Sequence, residues 1–237
     1  QKTGRLVDLG CATGSFLWAA QARGWRGEGV EVGKASAQYA REKTKAEIHN
    51  TSLYDFSFAP GSFDAVVFLE VIEHLPSPTQ SLKHIHAMLK PGGFLLLSTP
   101  NYQSLYRRLF GAKWWVINCE DEHIMLFTPK SLRRFLEKSG FKVVDLRIRS
   151  IDIIGIIKQG LGGIFRSVAT APSAEVAGYY QARQGKEKIK SFLGRFGALW
   201  LARTGLRLFD VLSSARWSPL YAMGEQLVVI AQKNKTP

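Results

Sequence analysis

A strand that runs directly into a glycine-rich turn and then a helix admits few folds, and this chain opens on one. Leu6-Val7-Asp8-Leu9 reads as a short apolar strand and Gly10-Cys11-Ala12-Thr13-Gly14 as the turn. Ser15 to Arg23 then carries Phe16, Leu17, Ala19 and Ala20 at helical spacing, with Gly24 as the stop. Glycine allows a positive φ and the close approach of a ligand to the backbone. The start of the helix faces polar ligand atoms with N–H groups. Gly27 to Val32 reads as a second strand with Glu31 at its end, where a carboxylate can accept both hydroxyls of a ribose. Together these residues describe a pocket for an adenosine-containing cofactor. An ordinary βα turn is the plainer reading of the loop taken alone.

A dinucleotide fingerprint has the spacing G-x-G-x-x-G followed by a similarly placed acid. Here Asp8 stands before the first glycine and the glycines are spaced differently. That pattern points to S-adenosylmethionine rather than a dinucleotide.

The same alternation continues to residue 150. Ala35 to Lys45 has helical spacing, and Ala46 to His49 is a short third strand. Phe63-Asp64-Ala65-Val66-Val67-Phe68 is apolar but for Asp64, as expected of a strand buried on both faces of a parallel sheet. Ser77-Pro78-Thr79-Gln80 predicts a helix start, with Ser77 as N-cap, Pro78 first and Gln80 as the capping-box partner. Leu82, Ile85, Met88 and Leu89 form that helix's stripe, and Lys90-Pro91-Gly92-Gly93 ends it ahead of a fifth strand, Phe94 to Ser98. Thr128-Pro129 starts another helix, which Gly140 stops. Phe141 to Ile148 is a sixth strand and Glu225 to Gln232 the last, pairing beside the sixth. Alternating βα units predict a doubly wound, mostly parallel α/β sheet.

Residues 151–224 interrupt this rhythm as a helical insertion before the last strand. From Lys186, apolar Ile189, Phe192, Leu193, Phe196, Leu199 and Trp200 share helical spacing, while Lys188, Lys190 and Arg195 lie on other faces. A second helix is expected over Leu206 to Leu212. The domain reading is therefore a core over 1–150, a basic helical lid or substrate subdomain over 151–224, and the last strand and tail over 225–237.

Composition narrows the partners. The 237 residues are 46% hydrophobic, enough for a sizeable core. No apolar run reaches the roughly 18 residues of a membrane span, and the N-terminal residues lack a signal-peptide pattern. The sequence opens almost directly on its first strand, whereas folds of this kind usually place a helical segment ahead of it. Cys11 and Cys119 are the two cysteines. They form no metal-binding pair spacing, and their scarcity suits a reducing, cytoplasmic compartment. The formal net charge is +13, of which +7 lies from Ile151 onward (12 Lys/Arg against 5 Asp/Glu). Such a balance suits an anionic partner or an anionic membrane surface, or simply a solvated basic face.

The ordered set Asp8 to Gly14, Glu31, Phe63-Asp64, Glu70-Val71-Ile72-Glu73-His74-Leu75, Leu89 to Gly93 and His123 to Phe127 ahead of Thr128-Pro129 resembles the class I S-adenosylmethionine-dependent methyltransferases. The branch it looks most like includes the ubiquinone-biosynthesis O-methyltransferases. The resemblance covers 1 to about 150 and the last strand, not 151–224. It implies a Rossmann-like, seven-stranded sheet with the last strand antiparallel. It implies a cofactor whose methionine part lies over Gly10, Cys11, Ala12 and Gly14 near Asp8, with the ribose on Glu31. The adenine would lie by Ser52 and Leu53, and the Leu69 backbone beside the methionine. Ser52 stands where many relatives carry Asp, and Ala12 where glycine is commoner.

Glu70, Glu73 and His74 would share one face if their segment were helical. In the ubiquinone-pathway relatives, an E-x-x-E-H group here resembles a metal site. The reading adopted is a polar active-site wall with no metal, a structural cap being the other alternative. His123 follows Glu120-Asp121-Glu122, where a carboxylate could keep the imidazole basic enough to take a proton. Glu70, His74 and His123 are thus the candidate catalytic residues. Tyr102, Trp114 and Trp115 lie where substrates enter such folds, as an aromatic wall or as core. His84 and His86 read as surface residues.

The function expected is transfer of a methyl group from S-adenosylmethionine, leaving S-adenosylhomocysteine, to a small or lipid-linked acceptor at oxygen. The stretch Lys186 to Arg216 would form a lid that rests on an anionic membrane, or would pack its apolar face on the core. RNA or protein methylation is the alternative enzyme, less favoured because no RNA-binding module and no Asn-Pro-Pro-Tyr-type motif is present. A methyltransferase-like binding protein without turnover is the non-enzyme alternative. The oligomeric state is left open.

Overall fold

The computed structural model describes residues 3–111, 114, 116, 123–149 and 225–234. The insertion at 151–224, Trp115 and Cys119 lie outside them. Seven strands form one sheet: β1 (Arg5–Leu9), β2 (Arg26–Val30), β3 (Glu47–His49), β4 (Phe63–Leu69), β5 (Leu89–Pro100), β6 (Phe141–Arg149) and β7 (Gln226–Lys233). Their spatial order is β3-β2-β1-β4-β5-β7-β6. The first five strands pair in parallel, and β7 is antiparallel to both β5 and β6. The strand order reverses between β1 and β4, so a crevice opens beyond their carboxyl ends, where doubly wound sheets bind ligands.

The apolar run of β4 explains its central place. Val66 and Phe68 belong to the core on one face of the sheet, with Leu82, Ile85 and Met88 of α3 (Pro78–Met88) and Leu132 and Leu136 of α5 (Pro129–Lys138). Val67 points the other way, to a smaller core with Leu17 and Ala20 of α1 (Ser15–Gln21) and Ala37 and Ala40 of α2 (Lys34–Thr44). Alternation with period two thus buries both faces of one strand.

Helix starts differ from expectation at one place. Thr128 caps α5, accepting from the Ser131 N–H, while the Ser131 hydroxyl accepts from the Thr128 N–H. Ser77 forms no side-chain cap, and the expected box with Gln80 is not made. Instead the Ser81 hydroxyl donates to the Ser77 carbonyl at 3.1 Å. His84 and His86 are half-buried rather than surface residues, standing edge-on to Phe58 (4.8 Å) and Phe141 (5.3 Å). Their helix packs tightly on the sheet, so its flanks are covered as well as its stripe.

Candidate active site

The residues expected to hold the donor lie where β1 stops. Gly10 and Gly14 have φ of 78° and 71°, and Ala12 enters the same left-handed region at 47°. The Gly10 and Cys11 N–H groups both donate to the Val30 carbonyl (2.8 and 3.1 Å), tying the bend to β2. A Cβ on Gly10 would lie 2.6 Å from a Val71 methyl. Glycine is required there by conformation and by a neighbour from the loop after β4.

Glu31 sits one residue past β2 rather than at its end. Its carboxylate accepts from the Ala12 N–H at 2.9 Å and the Gly33 N–H at 2.7 Å. Each oxygen keeps a further lone pair for a hydroxyl. Asp8 is 3% exposed. Burial first, then the Glu31 charge, pushes its carboxyl up to about 7. No ion pair engages Asp8 or Glu31 among the described residues. Two neighbouring acids without a counter-cation fit a ligand that carries an ammonium and a sulfonium. Burial, with Asp8 and Glu31, also pushes the Cys11 thiol up to about 12, so it remains protonated and unreactive.

Where the adenine is expected, at Ser52 and Leu53, the Ser52 contacts are local. The Ser52 hydroxyl donates to Asp55 Oδ2 at 2.6 Å and accepts from the Asp55 N–H at 3.2 Å. It therefore holds a local turn. Leu53 is buried in the core and Leu69 closes β4, half-buried.

The residues expected on the acceptor side come from separate segments. Glu70, Glu73 and His74 do not share a helical face. Glu70 has φ 54°, and only Ile72–His74 forms a 3-10 turn. One Glu70 oxygen accepts from the Ser98 hydroxyl (2.6 Å) on β5 and from the Gln226 amide (3.0 Å) on β7. Glu73 is fully buried. Its Oε2 accepts from the Thr99 hydroxyl at 3.1 Å, and its Oε1 has no partner among the described residues. Burial first, and then Glu70, pushes its carboxyl up to about 8.

Residues 123–127 run beside this turn. The Glu73 carbonyl accepts from the Ile124 and Met125 N–H groups (2.8 and 3.1 Å). That pairing brings His123 onto His74, with ring centroids 4.7 Å apart. Glu73, His74 and His123 each place one donor atom within 4.8 Å of the others. This set, rather than the E-x-x-E-H triplet, is where a divalent cation could be held. His123 Nδ1 lies 2.6 Å from the Val116 carbonyl. A carbonyl only accepts, so the hydrogen is assigned to Nδ1 and the Nε2 lone pair is left available.

Sequence reasoning missed Ser98, Gln226 and Glu225. Trp114 is core, 1% exposed, and donates to Glu225 Oε2 at 3.0 Å. Tyr102 stays at the rim, 39% exposed. No local motif announces contacts between residues 28 to 156 positions apart.

Residues 1–146, more than half of the chain, match a family described as a methyltransferase domain. The ubiquinone biosynthesis O-methyltransferase of Cereibacter sphaeroides (strain ATCC 17025 / ATH 2.4.3) is 28% identical over 151 residues, covering 60% of this chain and 61% of that protein. Its counterpart from Dinoroseobacter shibae is 30% identical, with the same coverage. The chain thus spans about three fifths of the length of these curated relatives. A SAM-dependent methyltransferase from Archaeoglobus fulgidus superposes with a TM-score of 0.59 at 16% identity, covering 98% of this chain and 86% of that one. The [4+2]-cyclase SpnF superposes at 0.62 and 18%, covering 99% and 77%. These likenesses show the fold, and SpnF shows that the scaffold bears more than one named chemistry. The glycine bend with its two acids, the seven-stranded order with β7 reversed and the match over residues 1–146 place this protein among the class I S-adenosylmethionine-dependent methyltransferases.

Proposed function

We propose that this protein methylates an oxygen on a small or lipid-linked acceptor, with His123 taking the acceptor's proton. The observation that carries the reading is the 2.6 Å contact from His123 Nδ1 to the Val116 carbonyl. It fixes the tautomer and turns a lone pair into a usable base. The names of the relatives favour oxygen as the acceptor atom.

S-adenosylmethionine, when bound, supplies a methyl group on a sulfonium whose leaving group is a neutral thioether. The chain has little covalent work to do, so orientation is the main contribution. In this reading Glu31 receives the ribose hydroxyls and Asp8 faces the cationic end. The bend from Gly10 to Gly14 sets the donor's height above β1. Glu70, held through one oxygen by Ser98 and Gln226, presents the other to the cleft as part of its polar wall. Stacking on His74 holds the His123 ring in place.

The test is release of S-adenosylhomocysteine over a panel of phenols, catechols and polyprenylated phenols, with product analysis. O-methylated product that falls with His123→Asn at unchanged cofactor affinity supports the reading. Methylation on nitrogen, or turnover indifferent to His123, overturns it. Cofactor binding without turnover on any acceptor would favour a binding role. Among the described residues no helix is long and apolar enough to cross a membrane; a lipid-linked acceptor is proposed to be met at the membrane surface. Retention on anionic vesicles tests that part.

A further inference from the structure

The loop after β5 carries a cation that the methyl-transfer chemistry does not use. Asn101 bridges to Phe127, and the Tyr102 N–H donates to the Phe127 carbonyl at 2.9 Å. These contacts pin the loop to the 123–127 segment at the rim of the site. Ser104 then caps α4 (Leu105–Phe110), its hydroxyl accepting from the Arg107 N–H at 3.1 Å. Both ends of an arginine–tyrosine pair are therefore fixed by backbone contacts. The Arg107 guanidinium lies over the Tyr102 ring, 4.9 Å from its centroid, and donates from Nη2 to the Tyr102 hydroxyl at 3.1 Å.

What the pair lacks is an anion. Arg107 Nε is buried and meets no acceptor, and no carboxylate pairs with the guanidinium among the described residues. A charged N–H removed from water without a partner is unfavourable, and an oxyanion at that point would relieve it. A planar fork held against an aromatic ring is pre-organised for a carboxylate or phosphate. Tyr102 is still 39% exposed, so the rim is open to a ligand. The overall charge of +13 draws anions toward the protein from a distance.

The geometry points to Arg107, braced by Tyr102, as a specificity-determining residue that binds a carboxylate or phosphate group of the acceptor. This rests on the acceptor site lying at the β4–β5 end of the sheet, as proposed above. The same chemistry could be met on a free anionic acceptor or on a lipid headgroup.

The experiment titrates the full chain with phenyl phosphate and with benzoate, and separately with S-adenosylmethionine. Wild type should bind at least one aromatic anion, and Arg107→Met should lose at least about tenfold in that affinity. Tyr102→Phe, which keeps the ring and removes the hydroxyl, should lose about two- to fivefold. Cofactor affinity should not change in either variant. Should Arg107→Met not fold, Arg107→Lys keeps the charge without the fork and must still weaken anion binding. Co-sedimentation with vesicles of phosphatidylcholine, with or without phosphatidylglycerol, separates the sources. Arg107-dependent binding to the anionic vesicles supports a headgroup, and Arg107-dependent phenyl phosphate binding without it supports a free anion. Wild type that binds neither anion nor anionic vesicles, or variants that bind like wild type, overturn the proposal. If the anion binds through Arg107 while S-adenosylmethionine does not bind, the methyl-transfer reading falls and this one stands.

Discussion

The residues proposed for the donor side of the crevice and those proposed for its acceptor side are assembled by different means. The donor side is nearly contiguous: Asp8, the bend from Gly10 to Gly14, and Glu31 lie within one βαβ unit. Their contacts are backbone N–H groups from Ala12 and Gly33 to one carboxylate. The acceptor side gathers Glu70 and Glu73 from the end of β4, Ser98 and Thr99 from β5, His123 from the segment before α5, and Gln226 from β7. A site made from one short segment can be kept intact while the rest of the fold varies. A site made from four segments can change acceptor whenever any one of them changes.

The contrast predicts that donor-side variants move cofactor affinity, whereas acceptor-side variants move turnover at constant affinity. The largest effect is expected at His123. His123→Asn should lower kcat by about 100-fold or more, the usual range for loss of a general base, with the dissociation constant of S-adenosylmethionine unchanged by calorimetry. Equal losses in both quantities would erase the division between the two sides.

Glu31→Ala comes next. It removes a charged acceptor from two backbone N–H groups and, in the proposed reading, from the ribose, and should weaken the cofactor about 100-fold. Unchanged affinity would remove the ribose assignment.

Gly10→Ala tests the one point where the two sides touch. The methyl group must accept φ 78° and displace Val71. Denaturant unfolding should show a loss of about 1–3 kcal/mol. A second substitution, Val71→Ala, should return the steric part and leave the conformational part.

Glu73 sharpens the comparison through pH. Its folded-state carboxyl sits near 8, above its ordinary 4.5. The folded protein therefore holds a proton that the unfolded chain releases earlier. The contribution is complete below pH 4.5 and is lost as pH rises through about 8. The slope across that window approaches about 1.4 kcal/mol per pH unit. Glu73→Gln, which cannot titrate, should lower the slope measured by thermal unfolding, leaving the share that Asp8 contributes below about 7. A wild-type curve already flat there would show that Glu73 is ionised in the folded protein.

The smallest effect belongs to Ser52→Ala. Its hydroxyl is engaged with Asp55, so cofactor affinity should fall by no more than about threefold. A larger loss would return Ser52 to direct adenine contact.

The sequence alone determined the alternation of strands and helices, the doubly wound class and the donor bend. These depend on patterns of neighbours. A two-residue period buried β4 on both faces, a Thr-Pro start capped α5, and glycines stood where φ had to be positive. Its failures were also local in appearance. The Ser77 box looked as good as the Thr128 box, but Ser77 leaves the extended conformation that Thr128 keeps, and its side chain makes no cap. Glu70, Glu73 and His74 looked like one helical face, but the chain leaves β4 through a left-handed residue and turns only at Ile72–His74.

Only the tertiary structure decided which side chains meet across the crevice. The antiparallel insertion of β7 between β5 and β6 brings Gln226 to Glu70 and Glu225 to Trp114. The pairing of Ile124 and Met125 with the Glu73 carbonyl stacks His123 on His74. Periodicity records which face of an element is apolar. It carries no record of which distant element that face will meet, because that choice is made by the packing of the whole sheet.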